Sequence, residues 1–169
     1  MRIGKILSIV AGVLTLLATF LFSWYAVDGG GGVIYYAGGI GIIKNLPAMF
    51  ANAQGLGTTL GIPSFSLYII AGIFILFLAS GVLQILGIKS RIPLIIGTVV
   101  ALGVGSLIWL GSADVINRVD WIVNILGTET PLIEGIIPMN LLGVDTIDLG
   151  TYLLYAGGII GIIAAVSGQ

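Results

Sequence analysis

From Asn45 to Ile88, and again from Ile92 to Ala113, the chain carries no charged side chain. Between these runs sits Lys89-Ser90-Arg91. A helix needs roughly 20 mostly apolar residues to cross the hydrocarbon core of a bilayer. Uncharged runs of this length therefore restrict the chain to a membrane-embedded fold. The composition agrees: of 169 residues, 58% are hydrophobic and only 8% charged, with a mean hydropathy of +1.20. A soluble domain carries about 25% charged residues, so a water-facing surface cannot be assembled from this set.

Four spans are expected in one membrane domain covering residues 1–169: 6–25, 64–86, 92–112 and 149–166, with external loops at 26–63 and 113–148. The fold class predicted is an all-α four-helix bundle. The first span has the basic start of a signal peptide, but its apolar run is long and no A-x-A-like site follows, so it is read as retained. Arg2, Lys5, Lys89 and Arg91 fall on one side of the spans. Lys and Arg are held on the cytoplasmic side, which predicts a multi-pass protein of the cell membrane with both termini inside. All seven acids fall on the other side, with Lys44 and Arg118. Trp24, Tyr25 and Trp109 are expected in the outer interfacial belt.

Small and weakly polar residues recur along the first span at Ser8, Gly12, Thr15, Thr19 and Ser23, on one helix face. Gln84, the most polar side chain inside any span, is expected to make an interhelical hydrogen bond. Two small-xxx-small ladders, Gly97-Ala101-Gly105 and Gly157-Gly161-Ala165, mark faces for close helix packing within the bundle or between protomers. In the first loop, Val33 to Ile43 reads as a hairpin around Ala37-Gly38-Gly39 or as an interfacial apolar segment. Asn45 is expected to cap a short helix from Leu46 to Gln54, stopped by Gly55.

In the second loop, Asp114 to Leu126 has the spacing of an amphipathic helix. Its apolar face holds Val119, Ile122 and Val123, candidate partner contacts. Asp145 and Asp148 sit where a helix N-terminus favours acids, with a cation site including Glu129 and Glu134 as the sharper alternative. A shift that lays Gly12 on Gly97 also aligns Trp24 with Trp109 and Ala71-Gly72 with Ala156-Gly157, the pattern of a parallel internal repeat.

The layout of four spans, a very short inner turn and two external loops resembles that of claudins and tetraspanins. The first loop lacks the Trp, the Gly-Leu-Trp and the cysteine pair of claudins, and the second lacks the Cys-Cys-Gly of tetraspanins. No functional residue is carried over.

The chain has neither Cys nor His, which removes disulfides, thiolate chemistry, the commonest metal ligand and the commonest general base. A formal net charge of -1 does not suit nucleic acid, which needs a basic face. The expectation is a non-enzymatic structural or accessory protein without a cofactor. It would pack laterally into a homo-oligomer or with other membrane subunits. A small transporter or channel with a hydroxyl-lined or hydrophobic pathway is the alternative.

Overall fold

The computed structural model describes residues 3–28, 30, 33–36, 39–112, 137–139, 141–142 and 146–167. The expected amphipathic helix at 114–126, with Val119, Ile122 and Val123, lies outside the described residues, as do Glu129, Glu134 and Asp145.

The chain is mostly helical. Its elements are α1 (Ile3–Phe20), β1 (Tyr25–Asp28), β2 (Val33–Tyr36), α2 (Gly39–Ala51), α3 (Ala53–Leu60), α4 (Ser64–Leu86), α5 (Arg91–Ser112), β3 (Thr146–Ile147) and α6 (Leu149–Val166). Four helices are long and apolar enough to cross a membrane: α1, α4, α5 up to Leu110, and α6. Each packs on two others in the cyclic order α1, α4, α5, α6. Neighbours run antiparallel. Gly12 meets Gly81 and Ile85 while Trp24 meets Phe77 further along α4, and Gly87 meets Leu94 while Gly97 meets Ser80. Phe77, Leu94, Ala101, Ala18 and Leu154 are fully buried between the helices.

The expectation of an all-α chain gives way at the end of the bundle opposite Lys89 and Arg91. There β2, β1 and β3 form a three-stranded sheet in that order. β1 pairs antiparallel with both neighbours, Ala26 opposite Tyr35 on one side and Thr146 on the other. The hairpin pairs β1 with β2, Asp28 opposite Val33, rather than pairing strands on either side of Ala37-Gly38-Gly39, since Gly39 already belongs to α2. Gly30 adopts φ +71°, a left-handed conformation that glycine takes without a Cβ clash, and its N–H donates to Asp28 Oδ1 at 2.9 Å.

The first span is shorter than expected. α1 ends at Phe20, because segments remote in sequence claim the backbone beyond it. Ile137 N–H donates to Leu21 C=O at 2.7 Å, Ser23 N–H to Ile137 C=O at 3.2 Å, and Gly150 N–H to Ser23 C=O at 2.9 Å. Trp24 is correspondingly not an interfacial belt residue. It is 6% exposed, donates from Nε1 to Ala18 C=O at 2.7 Å, and meets Phe77 edge-on with ring centroids 5.3 Å apart. Trp109 does lie on the outward surface.

The short helix expected at 46–54 is also redrawn. α2 already begins at Gly39, seated on Thr19 C=O and the Phe20 ring, and passes through Asn45 and Pro47 to Ala51. The chain breaks at Asn52 (φ -115°, ψ 26°) and resumes as α3, with Gly55 inside that helix. Gly61 closes α3 in the left-handed region, its N–H directed at Gly57 and Thr58 carbonyls. Met49 and Ala53 pack on Leu67 and Ala71 of α4, so this helix pair covers the N-terminal part of α4.

Candidate functional site

Two buried polar clusters and the glycine faces are the features that chemistry or assembly could use.

The inner cluster grows from the small-residue stripe of α1. Ser8, Thr15 and Thr19 are buried against α4 and α6. Ser8 Oγ donates to Gly4 C=O at 2.9 Å and Thr19 Oγ1 to Thr15 C=O at 2.8 Å, bonds within their own helix. Thr15 Oγ1 instead crosses to α4 and donates to Gln84 Oε1 at 2.8 Å. The expected interhelical bond of Gln84 is therefore present. Ser80 Oγ, Thr98 Oγ1 and Gln84 Nε2 lie nearby without a hydrogen-bond partner among the described residues. Ser8, Thr15, Ser80 and Gln84 are 0% exposed.

The second cluster joins the segment after α1 to the segment before α6. Asp148, fully buried, precedes α6 in extended conformation (ψ 173°), but its side chain makes no cap bond. One carboxylate oxygen instead accepts from Ser23 Oγ, and the other has no partner among the described residues. Ser23 Oγ also accepts from Met139 N–H at 3.3 Å, and Thr151 Oγ1 donates to Trp24 C=O at 2.8 Å. Burial raises the Asp148 carboxyl above its ordinary value of 3.8, while the Ser23 hydrogen bond pulls it down. The sequence reading placed Ser23 on a packing stripe and Asp148 at a helix start. That they meet was not visible. The available signal was an acid directly abutting an apolar span.

The two ladders face inward. A Cβ on Gly97 would lie 2.4 Å from Ser80 C=O on α4, and one on Gly157 2.9 Å from Ala11 C=O on α1. Gly161 abuts Thr98, and Gly105 approaches Leu154 and Tyr155 of α6 at 3.5 Å or more. Ala101 is fully buried and Ala165 half-buried. Two other glycines behave differently. Gly72 on α4 and Gly103 on α5 are exposed, and a Cβ on either would meet nothing within 4 Å.

This separates positions that the internal-repeat alignment equates. Trp24 is buried and Trp109 exposed; Gly72 faces open space and Gly157 packs on Thr15.

Among the described residues no group of three or more His, Cys, Asp or Glu could hold a metal ion. Toward the Lys89–Arg91 end, α5 and α6 leave a shallow groove of about 200 Å³ lined by Ile95, Thr98, Val99, Gly161, Ile162 and Ala165. No family model, curated protein or solved structure matches the chain.

Proposed function

We propose that this protein is a non-enzymatic tetraspan component of the membrane that works by lateral packing, with a second copy or with another membrane subunit. The observation that carries the reading is the pair of outward glycines, Gly72 and Gly103, each open within 4 Å. Glycine inside a helix is less favourable than alanine by about 1 kcal/mol, and among the described residues nothing packs against either position. In lipid, association depends on close backbone approach, which exposed glycines allow. Counting the helical rise from the outer ends of α4 and α5 puts both glycines roughly 12–14 Å deep, level with one another.

This assignment moves the contact away from the ladders at Gly97, Ala101, Gly105, Gly157, Gly161 and Ala165. Those mostly serve contacts between the chain's own helices. The buried polar groups support the same reading, since Thr15 and Gln84 join α1 to α4 and Ser23 meets Asp148. Replacing Gly72 or Gly103 by Leu tests it: mass measured in nanodiscs should fall to that of the monomer while the helical content is kept.

The topology proposed is N-in and C-in, from the basic residues Lys5, Lys89 and Arg91 at one end of the spans. A single cysteine in place of Lys89 should resist an impermeant reagent added outside intact cells, while one in place of Asp28 reacts. Equal labelling of the two would reverse this assignment.

A further inference from the structure

The groove between α5 and α6 has a charged mouth. Its apolar wall on α5 is formed by Ile95, Thr98 and Val99, and Arg91 stands one turn before Ile95 on the same helix face. Lys89 lies two residues earlier in the connecting turn, and both basic side chains are exposed. The two acids among the described residues, Asp28 and Asp148, belong to the outer sheet and to the start of α6, at the opposite end. The mouth therefore carries positive charge that no described carboxylate offsets. Opposite, α6 lines the groove with the small residues Gly161 and Ala165, flanked by the apolar side chains of Ile162 and Val166.

We infer that this groove is a binding site for one anionic phospholipid, its phosphate at Lys89 and Arg91 and one acyl chain lying between α5 and α6. From Arg91 to Val99 the helix rises roughly 12 Å, most of the approximately 15 Å half-thickness of a hydrocarbon core. A chain held there is in contact with Ile95, Val99 and Ile162 along its upper methylenes. The occupant matches both properties of the site at once: an apolar trough and a cationic end. A transmembrane helix of a partner would match only the first. The inference goes beyond lateral assembly and does not depend on it.

The test uses the full-length protein in nanodiscs made from equal parts dioleoylphosphatidylglycerol and dioleoylphosphatidylcholine, followed by native mass spectrometry of the lipids retained. Wild type should retain phosphatidylglycerol in preference to phosphatidylcholine. Lys89→Gln and Arg91→Gln should each lower that preference roughly fivefold, the worth of one basic residue near an anionic surface. Val99→Trp fills the trough from an exposed position and should abolish retention with helical content unchanged. Inorganic phosphate should not displace the lipid. Equal retention of the two lipids, indifference to both charge substitutions, or displacement by phosphate would overturn the assignment. So would a Val99→Trp variant that keeps its lipid and changes its oligomeric mass, which gives the groove to a second copy.

Discussion

The Ser23 hydroxyl donates to a carboxylate oxygen of Asp148, joining residues 125 positions apart. The bond sits where α1 has ended and α6 is about to begin, and the backbone repeats the connection, with Asp148 N–H on Trp24 C=O at 2.8 Å. Two spans distant in sequence are thus pinned at one end of the bundle by one hydroxyl, one carboxylate and a strip of sheet. The second carboxylate oxygen has no partner among the described residues, and burial raises the pKa of this carboxyl.

Asp148 should give the protein a pH-dependent stability. Its folded pKa is raised above 3.8 by burial. A carboxyl shifted in this direction contributes fully below its unfolded pKa, and the contribution is lost as pH rises through the folded value. Asp148→Asn should therefore gain on wild type in melting temperature as pH is raised from about the ordinary carboxyl value of 3.8. Parallel curves in the same detergent would remove Asp148 from the account. Ser23→Ala, which leaves the carboxylate without its donor, should cost about 1–3 kcal/mol.

The Thr15–Gln84 bond should be measurable by a double-mutant cycle. Thr15→Val and Gln84→Leu each break the 2.8 Å contact, so their effects should not add. The expected coupling is about 0.6 kcal/mol and at most about 1.7, the range found for hydrogen bonds between membrane helices. Strict additivity would mean that α1 and α4 are held by shape alone.

Shape should nonetheless dominate at the glycine crossings. A Cβ on Gly12 would stand 2.5 Å from the Gly81 carbonyl, and backbone cannot yield as a flexible side chain does. Gly12→Ala should cost about 1–3 kcal/mol or more through overpacking. Gly103→Ala meets nothing and should leave thermal stability equal or slightly higher. Similar losses at both positions would contradict the packing described.

How far the sequence could be read follows from which forces decided each element. The four spans were legible because hydropathy and length alone select a membrane helix, and their boundaries held at Ser64–Leu86 and Leu149–Val166. The bonding of Gln84 was legible as well, since a buried amide in lipid must seek a partner. The end of α1 was not. Leu21 to Trp24 is apolar enough to continue a span, and only pairing with Ile137 and Gly150, remote in sequence, draws it out of the helix. The strands failed for a related reason: Tyr25–Asp28 and Val33–Tyr36 are four residues each, too short to show a period. The glycine ladders were visible as packing faces, but sequence spacing does not say whether a helix of the same chain or of another fills them. Open space around Gly72 and Gly103 is a property of the assembled bundle and has no sequence signature.

Lateral assembly is the central claim, and mass in a lipid environment tests it most directly. Wild-type protein, reconstituted into nanodiscs after extraction in a mild detergent, should carry the mass of a multimer or retain a second membrane subunit. Gly72→Leu, whose new side chain enters open space in the monomer, should run as a single copy with its helices intact. A lone wild-type monomer in several mild detergents and in nanodiscs, with no partner retained, would contradict the account.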